Sequence, residues 1–462
     1  MKRITLILLG IMIVLLGTPN YSFAISNDSL LKKIINSNNI RPLPTKPFEK
    51  TKKFLLGQAL FFDPILSGNR DISCATCHLL KRGTSDALPL AIGTGGIGLG
   101  ESRKLKEGTV EVPRNSLDLW NRDNNSAKSL FWDGRVEVLD PKKRIFRSPL
   151  GKLLPDGMEN ALAVQALFPL VRSYEMLGKY GDRSPVGLPN THANLPNELS
   201  INVRDLSGPK RIQRVHGLIM DRILGLKSNK LTKWQVKYRQ LFQEAYHDKP
   251  ITEMGIKDLG NAIAHFEEIA FATRSAAWDR YVSGDIKVIS EKAKYGAVLF
   301  YGKGKCSVCH AGPLFSDFEF HSLAVKQNDS RPNMGGEDLG RYYVTNKSED
   351  KYKFRTPPLR NVTLTAPYFH NGVAKTLREA IEHHLRPLYL ADKYDETGAF
   401  AMNIDKINSV SYVVEKGIHL SEKEVNFIIE FLKTLEDSQA ERIADIIPES
   451  VPSGLLITRI QK

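Results

Sequence analysis

Cys74-Ala-Thr-Cys77-His78 and Cys306-Ser-Val-Cys309-His310 are the two places where residue types and spacing could do chemistry. Two thiols one helical turn apart can add to the two vinyl groups of a haem, and the histidine directly after the second thiol can reach the iron as its proximal ligand. The chain has four cysteines, and these motifs use all of them. The sequence therefore implies two covalent haem c groups, with His78 and His310 on the irons. A zinc site of two CxxC pairs would not account for a histidine in the same place after both. Two disulfides would leave the histidines unexplained.

Elements must carry these motifs, and the sequence around them repeats. Gly57-x-x-Leu60-Phe61-Phe62 precedes the first, and Gly296-x-x-Leu299-Phe300-Tyr301 precedes the second. A short helix ahead of each motif fits both copies, with a longer loop in the first. Leu79 to Asn125 is loop-rich. Its Gly93-Thr-Gly95-Gly-Ile-Gly98 matches GxGxxG formally, but Gly100, Gly108 and Pro113 interrupt the helix that a dinucleotide site requires, so a loop folded over a haem is expected instead. Glu159 to Gly178 has helical composition interrupted at Pro169, and Tyr180 to Pro209 is an insertion without a reading beyond loop. Lys233 to His247 and Lys257 to Trp278 read as amphipathic helices; His216, His247 and His265 among them are expected at the surface or in the core. Ser421-x-x-Glu424 is a capping box opening a last helix whose Val425, Ile428, Ile429, Leu432 and Leu435 form one apolar stripe. The expected fold is mainly α: two cytochrome c-like haem domains with long loops and few or no strands. The expected division is a signal peptide at 1–24, an N-terminal haem domain at 25–285 with the insertion around 180–209, a C-terminal haem domain at 286–440, and a tail at 441–462.

Of 462 residues, 42% are hydrophobic and 25% charged, ordinary for a globular protein. Lys2 and Arg3, an apolar run from Ile4 to Leu16 and Ser22-Phe23-Ala24 read as a secretory signal cut after Ala24. Export suits covalent haem and places the mature protein in the periplasm. The net charge is +14. No nucleic-acid-binding motif accompanies it, so an acidic redox partner is expected rather than nucleic acid.

With these residues in view, the chain resembles the bacterial di-haem cytochrome c peroxidase family, which includes the MauG-like enzymes. The resemblance runs from about Leu55 to Leu435. It rests on both CxxCH motifs, Leu66-Ser67, Pro113-Arg114-Asn115-Ser116, Phe131-Trp132-Asp133-Gly134-Arg135, Glu175-Met176 and the long match from Phe354 to Gly372. It implies a peroxide-reacting N-terminal haem and an electron-transferring C-terminal haem. It further implies Trp132 between them, Glu175 as acid/base over the first haem, and Gln165 and Pro169 beside it. Asn115 with the carbonyls of Thr365 and Pro367 would form a calcium site. Hydrogen peroxide is the implied substrate, a small cytochrome c or cupredoxin the implied donor, and a homodimer is common in the family.

The chain departs from the family pattern twice. Where classical members carry a histidine on the loop that closes the first haem, this chain has Ile92-Gly93-Thr94-Gly95, and no histidine occurs between His78 and His192. An open N-terminal haem that meets peroxide without prior reduction is expected, the MauG-like condition. Met158, Lys104 and Lys106 are the other candidates to fill that face. The sixth ligand of the second haem falls at His384, with His383 adjacent. Histidine there instead of methionine lowers the expected potential. The expected function is a periplasmic di-haem peroxidase; a MauG-like oxidase acting on a protein, and a non-catalytic di-haem carrier, are the competing expectations.

Overall fold

The computed structural model describes residues 26–457, apart from 45–46, 125, 190, 274, 328–335, 394–408 and 438–442. The expected signal segment lies outside the described residues. Among them no helix is long and apolar enough to cross a membrane. The protein is mainly helical with few strands. In chain order the helices are α1 (Asn27–Ser37), α2 (Lys52–Phe62), α3 (Cys74–Cys77), α4 (Ala161–Gln165), α5 (Glu198–Ile201), α6 (Gly208–Leu224), α7 (Lys233–Ala245), α8 (Ile256–Ala270), α9 (Ala277–Val282), α10 (Glu291–Tyr301), α11 (Tyr342–Thr345), α12 (Leu377–Leu385), α13 (Pro387–Lys393), α14 (Glu422–Lys433) and α15 (Ile443–Ile446).

The repeated Gly-x-x-Leu-Phe motif builds the same helix crossing twice. Thr51 caps α2 by accepting from the Phe54 amide at 3.1 Å, and Ser290 caps α10 by accepting from Ala293 at 3.2 Å. α2 crosses α8 at Gly57, where a Cβ would sit on the Ala262 carbonyl and against Phe266. α10 crosses α14 at Gly296, where a Cβ would sit on the Phe427 carbonyl and against Phe431. One turn later the rings pack: Phe61 on Phe266 at 5.0 Å, and Phe300 on Phe431 at 5.2 Å between centroids. Only glycine lets the backbones approach this closely.

Two apolar cores follow from these crossings. The larger joins α2, α4, α6, α7 and α8. The smaller joins α9, α10 and α14, with Leu31 of α1. The chain ends are exchanged between them. Tyr281 and Lys294 hold Asp28 of α1 at 2.8 and 2.9 Å. At the other end Ile446, Val451 and Leu455 are buried in the larger core. Ser453 and Tyr238 donate hydroxyl hydrogen bonds to buried Asp63 at 2.6 and 2.8 Å.

Among the described residues there are five short strands. β1 (Ser129–Leu130), β2 (Val136–Asp140) and β3 (Ile145–Arg147) form an antiparallel sheet in that order, and β4 (Phe320–His321) pairs with β5 (Phe354–Arg355). Phe131 to Arg135 is the turn between β1 and β2. β5 docks on it: the Arg355 amide donates to the Trp132 carbonyl at 2.8 Å, and Arg355 Nε to the Phe131 carbonyl at 2.9 Å.

Three local readings change. The helix expected from Lys257 to Trp278 is two helices, because Asn121 captures the backbone between them: its amide donates to the Phe271 carbonyl and its Oδ1 accepts from the Thr273 amide, both at 2.9 Å. The insertion at 180–209 is more than loop. It contains α5, and buried Asn197 donates to the Leu177 carbonyl at 2.6 Å and to Asn69 at 3.0 Å. On α14, Phe431 is fully buried and belongs to the apolar stripe.

Candidate functional site: two cavities joined at Trp132

α3 presents Cys74 and Cys77, and His78 follows as its C-cap. The four cysteines form no disulfides. His78 Nδ1 lies 2.9 Å from the Thr84 carbonyl. A carbonyl only accepts, so Nδ1 carries the proton and Nε2 keeps a free lone pair. Burial lowers the pKa of His78, which keeps the ring neutral. All three side chains line a cavity of about 160 Å³.

Glu175, Gln165 and Pro169 line the same cavity. Glu175 sits in a single π turn, Ser173–Leu177. Burial raises its pKa, against the pull of Arg135 and Arg172. The Gln165 side-chain oxygen is buried without a partner. Arg135 stacks its guanidinium 3.6 Å over the Phe131 ring in the same wall.

The loop after the first motif is tied down against the backbone of Glu175. Thr94 donates its hydroxyl to Asp71 Oδ1 at 2.7 Å and its amide to the Glu175 carbonyl at 2.7 Å. Gly95 donates to Asp71 Oδ2 at 2.6 Å, and Arg103 reaches the carbonyls of Ile92, Gly93 and Gly98 at 2.7–2.8 Å. This glycine run thus anchors a loop and opens no βαβ unit. Thr94 is not among the cavity-lining residues, and neither are Met158, Lys104 and Lys106; Met158 is buried in the large core and both lysines are exposed. Among the described residues that line the cavity, His78 is the only histidine and there is no lysine. Met176 and Glu267 also line it. Sequence reasoning met Met176 only as part of the Glu175-Met176 match and missed Glu267.

The second cavity, about 210 Å³, holds Cys306, Cys309 and His310. His310 Nδ1 faces the Phe315 carbonyl at 3.0 Å, repeating the arrangement at His78. Burial, then His384 nearby, pushes His310 down to about 4. His384 Nδ1 lies 2.7 Å from the Ala380 carbonyl one turn back on α12, which leaves its Nε2 free. The His310 and His384 rings are 6.2 Å apart between centroids. Two imidazoles bonded to one metal from opposite sides, at about 2.0–2.1 Å each, need roughly 6 Å. The cavity therefore fits an iron between two histidines. His383 does not line the cavity; its Nε2 lies 2.7 Å from the Leu323 carbonyl.

Trp132, Asn115, Ser116 and Leu117 line both cavities. Trp132 is buried and donates its indole N–H to the Asn115 carbonyl at 3.0 Å. Thr365 and Pro367 line the second cavity with Asn115, whose side-chain nitrogen donates to the Leu88 carbonyl at 2.8 Å. Arg114 locks this seam, reaching Asp338 at 2.7 and 2.8 Å and Asp133 at 2.7 Å. The residues of both cavities thus fit covalent haem: paired thiols, a histidine with a free Nε2, and an apolar enclosure for each.

Comparison with known proteins agrees. Residues 51–287 match the model of the family described as di-haem cytochrome c peroxidase. The methylamine utilization protein MauG of Methylorubrum extorquens is 27% identical over 401 residues, 86% of this chain and 81% of its own. Cytochrome c551 peroxidase of Nitrosomonas europaea is 25% identical over 411 residues, 89% of this chain and 88% of its own. The crystal structure of the diheme peroxidase BthA from Burkholderia thailandensis superposes with a TM-score of 0.55 at 20% identity, covering 91% of this chain and 92% of that one.

Proposed function

Because the chain belongs to the di-haem cytochrome c peroxidase family and is an oxidoreductase of that type, we propose that it reduces hydrogen peroxide to water at the cavity of His78. Electrons would come from a small exported redox protein, a cytochrome c or a cupredoxin, through the cavity of His310. Thioether bonds to Cys74 and Cys77, and to Cys306 and Cys309, would hold two haem c groups. His78 and His310 would be their proximal ligands and His384 the second ligand of the C-terminal iron. When bound, the irons supply the redox chemistry by which peroxide, two protons and two electrons give two waters.

The protein's part is proton handling, alignment and exclusion of water. Glu175, buried and with its pKa raised, takes a proton from one peroxide oxygen and returns it to the other as the O–O bond breaks. Gln165 offers the peroxide a hydrogen-bonding amide. Trp132, in the wall of both cavities, is the aromatic link for electrons. Asn115 with the carbonyls of Thr365 and Pro367 would hold a calcium ion beside it; neutral oxygen donors suit a hard, hydrated cation. The proposal also places the protein in the periplasm, after removal of residues 1–24.

One observation carries this reading: the acid Glu175 shares the cavity with His78, and among the described residues no second histidine or lysine lines it. The haem-loaded, fully oxidised protein is expected to show a high-spin ferric EPR signal and a Soret change on stopped-flow mixing with peroxide alone. A Soret change that requires prior reduction, or two low-spin signals from Met176 or another ligand, overturns the open site. A second reading, MauG-like oxidation of a partner protein, draws on the same commitment of Thr94 to Asp71. Rapid peroxide turnover with a reduced small cytochrome as donor favours the first reading over the second.

A further inference from the structure

The two helix crossings share one register. Gly57 faces Ala262 and Phe266 just as Gly296 faces Phe427 and Phe431. The register carries on along both helices, so Ile263 corresponds to Ile428 and Glu267 to Leu432. Ile263 and Glu267 line the first cavity, and Ile428 and Leu432 line the second. Where the electron-transfer half closes its cavity with a leucine, the peroxide half has a carboxylic acid.

Glu267 is 7% exposed, and among the described residues its carboxyl forms no hydrogen bond or ion pair. Burying a carboxyl without a partner is costly, and a leucine was sterically available at this position. Residues that break a local rule with no compensating contact mark functional sites. Desolvation alone pushes Glu267 up to about 8, so it gains and loses its proton near neutral pH instead of in the acid range.

We propose that Glu267 is a redox-linked proton site of the N-terminal haem cavity: it takes up a proton from water when the group held by His78 gains an electron, and releases one when that group is oxidised. The inference rests on haem occupying this cavity. Physically, an added electron removes positive charge from the enclosure and favours the neutral carboxyl, with little water to screen the effect. Other charged and titratable groups face the site. Cys74, Cys77 and His78 come from the binding turn, and the first two cease to titrate as thioethers. Arg114, Arg135 and Glu175 line the same cavity. Asp86, raised to about 7 by burial, stands near Cys77. On α8 itself His265 bonds Thr51 at 3.0 Å, and His216 of α6 bonds the Leu167 carbonyl at 3.0 Å. α4 brings no titratable side chain.

The test is a spectroelectrochemical titration of each haem from pH 5.5 to 9 in the wild type, Glu267→Gln and Glu267→Leu. Leucine is the residue the other crossing already accommodates, so this variant guards against misfolding. The wild-type N-terminal haem is expected to lose potential as pH rises, approaching about 59 mV per unit for one proton per electron. Both variants are expected to lose the part of that slope due to Glu267, and the C-terminal haem to keep its own pH response. An infrared redox difference spectrum should show a protonated-carboxyl C=O band that vanishes in both variants. The same N-terminal slope in all three proteins, or a band that survives, overturns the proposal. Fewer than two haems per chain, measured on the same samples, would instead overturn the reading on which it rests.

Discussion

Glu175 and His384 show how much a single side chain's surroundings decide. Glu175 is an ordinary carboxylate by sequence, and the fold changes its behaviour: burial disfavours its charged form and raises its pKa. Replacing it with glutamine should lower kcat/KM for peroxide by roughly 10²–10⁴-fold while leaving the haem absorbance of the resting protein unchanged, as steady-state assays will show. The raised pKa also sets a pH limb. The group must be ionised to accept a proton, so activity should fall as pH drops through a value above the usual glutamate range. At the second cavity, His384→Ala should convert the C-terminal haem from low-spin to high-spin in EPR, whereas His383→Ala should not. Sequence named both histidines but could not separate neighbours on one helix; the Leu323 carbonyl separates them by engaging His383. Glu267 was invisible for a different reason. A lone glutamate in an amphipathic helix reads as a solvated charge, and only the backbone register of Gly57 and Gly296 reveals that Leu432 is its counterpart.

At the scale of elements, the glycines of the two crossings are the sensitive positions. Gly57→Ala and Gly296→Ala each push a methyl group into a backbone carbonyl of the facing helix. Each should cost about 1–3 kcal/mol or more, seen as a lower Tm by calorimetry. Gly217 lies within α6 with nothing near its missing Cβ, and Gly217→Ala should instead stabilise by about 0.4–1 kcal/mol. The long helices were legible because caps and periodicity mark them, as Ser421 and Glu424 do for α14. The strands were not. Two to five residues are too few for alternation to register, and β1 and β2 owe their pairing to the turn at Phe131–Arg135. The single π turn that holds Glu175 had no sequence signal at all beyond Pro169 before it.

At the scale of the whole molecule, buried charge fastens the two halves around Trp132. Arg114 bridges Asp133, from the β1–β2 turn, and Asp338, from the C-terminal half. Against the upward push of burial, Arg135 and then Arg114 hold Asp133 down at about 2, and Arg114 holds Asp338 well below the usual range. Their stabilisation is present above the ordinary carboxylate pKa and is lost as pH falls through the depressed values. Arg114→Met breaks the buried bridge between Asp133 and Asp338, leaving Asp133 only its weaker pairing with Arg135 at 3.2 Å, and should cost about 3–5 kcal/mol. It should also slow electron transfer between the haems in flash photolysis, with each haem's own spectrum unchanged. None of this was readable beforehand: Asp338 lies 224 residues from Arg114, and no local pattern links them. The tail beyond 441 likewise had no reading, because its partners lie far away in sequence: Ser453 bonds Asp63, 390 residues earlier.

The exchanged ends fix an order of events during synthesis. α1 leaves the ribosome among the first segments, yet the surface that receives it is made of α9, α10 and α14, translated some 250–400 residues later. Asp63 waits 390 residues for Ser453. At about 5–20 residues per second, the nascent first half spends tens of seconds without its final clasp. Throughout that interval Cys74 and Cys77 sit in a half whose last core residues, Ile446, Val451 and Leu455, have not yet been made.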